Sequence, residues 1–195
     1  MTKEMEELRI GVFVCNCGTN IAGFLDCKEV AEYAKGLPHV VFTRENLYSC
    51  SEAGVTDIKN AIIENKLNRV VVAACTPITH EPLFRASCAE AGINPFFFEF
   101  VNIREQDSWV HKNEPESATE KAKDLVRMGV ARAAYLEPRE PNIAEVEEKA
   151  LVIGGGISGL SAALSLADRG FKAVVRDLHA QEHRYTSRMA TCQYE

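Results

Sequence analysis

The sequence has no apolar run approaching the roughly 20 residues that a bilayer-spanning helix needs. It also has no concentrated basic stripe: 22 Lys and Arg stand against 28 Asp and Glu, a formal charge of −6, so nucleic acid is not an expected partner. The opening MTKEMEELRIGVF runs from acidic residues straight into a strand-like segment, without the apolar stretch and small-residue cleavage site of a secretory signal. Paired CxxC knuckles of the structural zinc type are missing, as are internal repeats and low-complexity tracts. These absences leave a cytoplasmic globular protein as the expectation. In that setting seven cysteines, an odd number, read as metal ligands or redox groups rather than a disulfide framework.

What is present is alternation. From Arg9 onward β-rich apolar runs alternate with helical stretches, the pattern of an open parallel sheet with crossover helices. Strands are expected at Ile10–Val14, His39–Thr43, Arg69–Ala74 and Pro95–Phe100; the third, RVVVAA, is apolar enough to be covered on both faces. Helices are expected at Cys27–Lys35, Glu52–Asn65 and His80–Ala91, with Asp26, Ser51 and Thr79 as caps whose side-chain oxygens accept first-turn N–H groups. A long amphipathic helix follows, roughly from Glu116 to Tyr135. The segment Glu137-Pro138-Arg139-Glu140-Pro141-Asn142 then breaks helical periodicity, since each proline lacks an N–H and pushes its predecessor toward extended backbone. This gives a cysteine-bearing α/β domain over 1–137, a linker over 138–148, and a partial Rossmann βαβ unit over 149–195.

On this reading Cys15 and Cys17 follow the first strand, Cys50 lies between the second strand and its helix, and Cys75 ends the third strand. All four belong to the carboxyl edge, where ligands bind in open α/β sheets. Four thiolates arriving on three loops can surround a compact [4Fe-4S] cluster. Gly18 would let backbone pass close to inorganic sulfide, and helix N-termini would offset the negative charge. A zinc site and a thiol redox pair using Cys50 or Cys75 are competing readings, because a cysteine just before a helix tends toward a reactive thiolate. Any single cysteine could equally be a small buried filler. Cys27 and Cys88 sit differently, Cys88 well inside its helix and more suited to packing.

Residues Lys149 to Asp177 read KALVIGGGISGLSAALSLADRGFKAVVRD: an apolar strand, Gly154-x-Gly156-x-x-Gly159, a helix, a second strand and an acid. Gly154 permits the tight turn, Gly156 lets a pyrophosphate approach the backbone, and Gly159 allows close helix–strand packing. The helix N-terminus favours phosphate charge, and Asp177 stands where an acid hydrogen-bonds ribose.

Four segments, VCNCGTNIAG, LYSCSEAG, VVAACTPITHEPLFRASCAEAGINPFFFEFVNIREQDSWVH and ATEKAKDLVRMGVARA, together resemble the N-terminal region of the family of heterodisulfide reductase A-type subunits. The resemblance covers approximately residues 9 to 175. It implies a cytoplasmic iron-sulfur flavoprotein, associated with methanogenesis, whose dinucleotide fold takes FAD rather than NAD. It further implies electron transfer among other heterodisulfide reductase-like subunits, ferredoxin, and hydrogenase or formate dehydrogenase modules. The chain would then act as an electron-transfer component, with no catalytic residue assigned to it alone. A non-catalytic metal-stabilised interaction module and a small thiol–disulfide oxidoreductase are the alternatives. His80, Arg104 and Trp109 belong to the resembling stretch and would shape the cluster pocket or a subunit contact, or simply cap and pack locally.

The chain departs from the family where Asp177 replaces the usual glutamate, and where Thr186-Ser187-Arg188-Met189 would have to stand in for a Gly-Gly-x-Met segment. The remaining flavin domain and the CxxCxxCxxxC motifs of the family do not occur in it. A truncation, or completion by a second copy or another polypeptide, is the corresponding expectation, with FAD held only with that partner's help.

Overall fold

The computed structural model describes residues 7–140 and 142–177. The Thr186–Met189 segment and Cys192 lie outside the described residues. The chain divides into two compact units, 1–140 and 141–195.

The first unit is built on four parallel strands: β1 (Ile10–Asn16), β2 (Val40–Leu47), β3 (Arg69–Ala74) and β4 (Phe98–Asn102), in the order β2-β1-β3-β4. Crossovers are made by α1 (Cys27–Ala34), α2 (Glu52–Glu64) and α3 (Pro77–Glu90), and α4 (Pro115–Ala134) closes the unit. The fold class is therefore the α/β open parallel sheet expected from the alternating pattern. β3 is buried at every residue, as an interior strand covered by helices on both faces must be.

Side-chain alternation along the strands divides the core in two. Ile10, Val12 and Val14 of β1 pack with Val71 and Ala73 of β3 against Val30 and Ala34 of α1 and Ala122, Val126 and Val130 of α4. On the other face Phe13 and Cys15 join Val70, Val72 and Phe98 against Ile58 and Ile62 of α2 and Phe84 and Cys88 of α3. Full burial of side chains of this size stabilises by about 1.5–3 kcal/mol each, so both helix pairs are held by their apolar stripes.

The caps of α1 and α2 are as expected: Asp26 accepts the Glu29 N–H, and Ser51 accepts the Gly54 N–H. The helix α3 differs. It begins at Pro77, so Thr79 lies inside it and Thr76 occupies the cap position without a side-chain hydrogen bond. A proline in the first turn gives up an N–H that has no helical acceptor anyway, which lets the helix start earlier. The fourth strand also shifts, from the expected Pro95–Phe100 to Phe98–Asn102. Asn94 folds the chain into a turn by accepting the Phe96 N–H, and Phe97 lies flat against the Arg69 guanidinium, 3.5 Å from ring centroid to charge centre.

The second unit, taken by itself, is a βαβ element: β5 (Lys149–Ile153) pairs in parallel with β6 (Lys172–Arg176), connected by α5 (Ile157–Ala167). Among the described residues no helix is long and apolar enough to cross a membrane.

Candidate functional site

The order β2-β1-β3-β4 places a switch point between β1 and β3: the chain leaves β1 in one direction and β3 in the other, opening a crevice at their carboxyl ends. Cys15 is the penultimate residue of β1, Cys17 lies just beyond it, and Cys75 directly follows β3. Cys50 lies between β2 and α2. Cys15 and Cys75 leave their strands toward opposite faces of the sheet, and Cys17, past the end of β1, packs against both core clusters.

Cys15 and Cys17 stand near the other candidate thiols. Burial raises the Cys15 thiol pKa above its ordinary value, and the neighbouring Cys17 and Cys50 add to the rise while Ser49 opposes it. Burial likewise raises Cys17, reinforced by Cys75 and Cys50 and opposed by the positive charge of Arg104. A cation or a metal centre at this point would relieve that mutual repulsion. Cys15 and Cys75 are buried, Cys17 is partly buried and Cys50 is exposed; all four are free thiols.

Among the described residues no group of three or more His, Cys, Asp or Glu side chains is placed to hold a metal ion. A four-iron cluster would take one thiolate at each of four separate corners.

Cys27 and Cys88 have other roles. Cys27 is buried on the α1 face, donates weakly to the Cys15 carbonyl at 3.6 Å, and has its thiol pushed up to about 12, chiefly by burial. Cys88 is fully buried beneath α3 among apolar side chains, and burial pushes it up to about 12 as well. Neither is poised to ionise.

Hydrogen bonds shape the loops around the crevice. Tyr48 adopts left-handed backbone (φ +51°), uncommon for a bulky residue, and its N–H donates to the Asn16 carbonyl at 3.3 Å. This turn directs the Ser49 N–H onto Cys15 Sγ at 3.3 Å. On the far side, a five-residue π-turn at Arg104–Ser108 follows β4. Such turns recur at functional sites because they re-aim side chains. Here Arg104 pairs with Glu105 at 2.7 Å, lies 4.6 Å from the Trp109 ring centroid and extends its charge toward Cys17 and Cys75. His80 lies within α3, whose N-terminus follows Cys75, and its N–H donates to the Thr76 carbonyl at 3.3 Å.

The sequence pattern did not single out Asn46 and Ser49. Both are buried, Asn46 in register with Cys15 and Ser49 at its sulfur. The strand register reveals Asn46 and the bond to the Cys15 sulfur reveals Ser49, since a polar pair between strand and helix otherwise reads as loop.

In the second unit the glycines follow the dinucleotide pattern. Gly154 has φ +107°, which an L side chain rarely adopts. A Cβ at Gly159 would fall 1.9 Å from the Gly154 carbonyl oxygen, so only glycine permits this contact between α5 and the turn. Gly156 caps α5 with nothing within 4 Å of an added Cβ, leaving space over the helix N-terminus. Asp177 accepts the Gly155 N–H at 3.1 Å, joining the end of β6 to the glycine turn.

Residues 149–191 match the family model of the FAD binding domain. Over 168 residues, 86% of this chain, the sequence is 59% identical to the A subunit of the H(2):CoB-CoM heterodisulfide,ferredoxin reductase of Methanothermobacter thermautotrophicus, covering 26% of that protein. It is 58% identical over 170 residues, 87% of the chain and 26% of the relative, to the second iron-sulfur A subunit of the CoB–CoM heterodisulfide reductase of Methanopyrus kandleri. A third relative, the A subunit of the Ferredoxin/F(420)H(2)-dependent CoB-CoM heterodisulfide reductase of Methanosarcina acetivorans, is 49% identical over 164 residues, 84% of the chain and 21% of that protein. The chain spans about a quarter of the length of these relatives, and over most of its own length it belongs to the family of heterodisulfide reductase A-type subunits.

Proposed function

We propose that this chain is an electron-transfer component of a heterodisulfide reductase-like complex, in which Cys15, Cys17, Cys50 and Cys75 hold a [4Fe-4S] cluster and the βαβ unit binds the nucleotide half of FAD. The observation that carries this reading is the placement of Cys15, Cys17, Cys50 and Cys75 on three loops at the carboxyl ends of β1, β2 and β3, around the β1–β3 switch point. When bound, the cluster would supply reversible one-electron storage.

The chain's own residues would set the conditions for it. Cys15 and Cys75 anchor the ligand set from rigid strand ends, which fixes their positions better than a loop could. Cys50, exposed on its loop, would hold its part of the cluster near solvent. Arg104 places a positive charge beside Cys17 and Cys75, lowering the cost of bringing thiolates together. In the second unit the N–H groups at the start of α5 would hold a pyrophosphate, and Asp177 would accept from a ribose hydroxyl. The partners proposed are other heterodisulfide reductase-like subunits, ferredoxin, and hydrogenase or formate dehydrogenase modules, with the compartment cytoplasmic.

Anaerobic reconstitution with iron and sulfide, followed by iron, sulfide, zinc and flavin analysis, tests the reading. A brown protein with about four irons per chain and acid-labile sulfide is expected. Colourless protein holding zinc would overturn it in favour of an interaction module, and metal-free protein with rapidly alkylated Cys50 in favour of a thiol–disulfide oxidoreductase.

A further inference from the structure

Beside Cys15 lies a group of buried polar atoms with no internal function. Asn46 is 4% exposed, yet neither its amide nitrogen nor its amide oxygen has a hydrogen-bond partner among the described residues. Ser49 is 0% exposed, and its Oγ likewise lacks a partner of hydrogen-bond geometry, although the residue stands near enough to favour the Cys15 thiolate. An unsatisfied buried polar group costs about 1–3 kcal/mol, so three such atoms together are a substantial local penalty. Such a penalty in a native fold requires an explanation.

The register gives the direction. Asn46 is the β2 residue paired with Cys15 of β1, and in parallel strands paired residues project from the same face of the sheet. Cys15 projects toward the α2 and α3 side. The first turn of α2 closes this place from outside: a Cβ at Gly54 would lie 2.7 Å from the Tyr48 carbonyl oxygen and 2.8 Å from that of Ser49. The helix therefore sits directly on the loop that carries Ser49. Asn46 and Ser49 are thus polar, covered, and on the sulfur side of Cys15.

We propose that the Asn46 amide and the Ser49 hydroxyl are donors to the sulfur atoms of the cluster at its Cys15 corner, alongside the Ser49 N–H, and that they set its reduction potential. This rests on the four-cysteine assignment above and goes beyond it by naming residues that are positioning groups, not ligands. Both side chains carry a donor, and sulfur ligands and bridging sulfides are acceptors. Reduction adds one negative charge to the cluster. Donors aimed at its sulfurs stabilise the reduced form more than the oxidised form and raise the potential. Donation to sulfur would satisfy the Asn46 amide nitrogen and the Ser49 hydroxyl, two of the three unpartnered atoms; the Asn46 amide oxygen, an acceptor, lies outside this account.

The test uses the full chain, reconstituted anaerobically, with Asn46→Leu, Asn46→Asp and Ser49→Ala variants compared with the parent. Each is assayed for iron, for midpoint potential by dithionite titration, and for the electron paramagnetic resonance signal of the reduced cluster. Iron content is expected to hold in Asn46→Leu and Ser49→Ala while the potential moves negative. Loss of one donor is expected to change the ratio of reduced to oxidised cluster at a fixed potential by about tenfold, or about 59 mV for one electron. Asn46→Asp, similar in shape but offering only acceptors when ionised, is expected to shift further negative or lose iron. Should Asn46→Leu fail to fold, Asn46→Asp and Ser49→Ala carry the test. Unchanged potentials and spectra in iron-loaded variants overturn the inference and leave the cluster assignment standing. A parent chain that takes up no iron overturns both.

Discussion

The hydroxyl of Ser108 donates to the carbonyl of Asn20 at 2.7 Å, tying the π-turn after β4 to the turn that follows Cys17. Ser108 is fully buried. Its bond spans two loops that come from opposite sides of the switch point, so the position of Cys17 depends on a residue far away in sequence. Ser108→Ala is expected to destabilise the first unit by about 1–2 kcal/mol, because the Asn20 carbonyl loses its donor in a covered place. Urea unfolding measures this. Alkylation of Cys17 is expected to quicken in the same variant, and an unchanged alkylation rate would show that the loop is held without the bond.

The ligand assignment predicts a sharp division among cysteines. Serine variants of Cys15, Cys17, Cys50 and Cys75 are each expected to lose iron on reconstitution, whereas Cys27→Ala and Cys88→Ala retain it. Removing the Cys88 thiol leaves a small cavity under α3 among Phe84, Phe98 and Ile58, so a cost of about 1 kcal/mol in stability is expected with no change in iron. Cys88→Ala protein that is folded yet iron-poor would move Cys88 into the ligand set.

Much of the fold was legible because burial wrote it into the residue pattern. RVVVAA is covered on both faces, and its apolar run marks β3 to the residue. The carboxyl-edge placement of Cys15, Cys17, Cys50 and Cys75 followed from strand ends alone. The aromatic run Pro95-Phe96-Phe97-Phe98 misled, since apolar character does not distinguish a strand from a turn whose rings find other partners: Phe97 rests on Arg69 and Phe96 turns on Asn94. Asn46 and Ser49 were illegible for a different reason. Their significance depends on the pairing of β2 with β1 for Asn46 and on the Ser49 N–H bond to the Cys15 sulfur for Ser49, long-range relations that no local spacing encodes.

Asp107 supplies a pH dependence. It is 0% exposed, neither carboxylate oxygen has a hydrogen-bond partner among the described residues, and burial raises its pKa from 3.8 to about 6 against the opposing charges of Lys121 and His111. A carboxyl with a raised folded pKa favours the fold below its unfolded value, and that contribution is lost as pH rises toward about 6. Wild-type protein is therefore expected to lose stability between pH 4 and pH 6 from this group, on the order of 2 kcal/mol. Asp107→Asn removes the titration. Chemical denaturation at pH 4 and pH 8 should show the variant gaining on the wild type only at the higher pH, and an equal difference at both would refute the assignment.

The second unit predicts how flavin recognition is shared along the molecule. Its βαβ element offers the glycine turn, the α5 N-terminus and Asp177, which on the proposed reading would address a pyrophosphate and ribose. The described residues of this unit expose apolar side chains, Leu151 at 63%, Ile153 at 69% and Ile157 at 82%, rather than enclosing them. A cofactor gains most of its affinity by burying most of its surface in a largely preformed cleft. The purified 195-residue chain is therefore expected to bind FAD weakly, and no more than about tenfold more tightly than ADP, since both carry the pyrophosphate and ribose that the described residues of this unit would address. Gly159→Ala, whose new Cβ would meet the Gly154 carbonyl, is expected to abolish both interactions by displacing α5 from the turn. Isothermal titration with FAD and ADP, alongside light scattering, measures this. Submicromolar FAD binding by a monomer, with ADP far weaker, would mean that the chain builds a ring pocket of its own and would defeat the prediction.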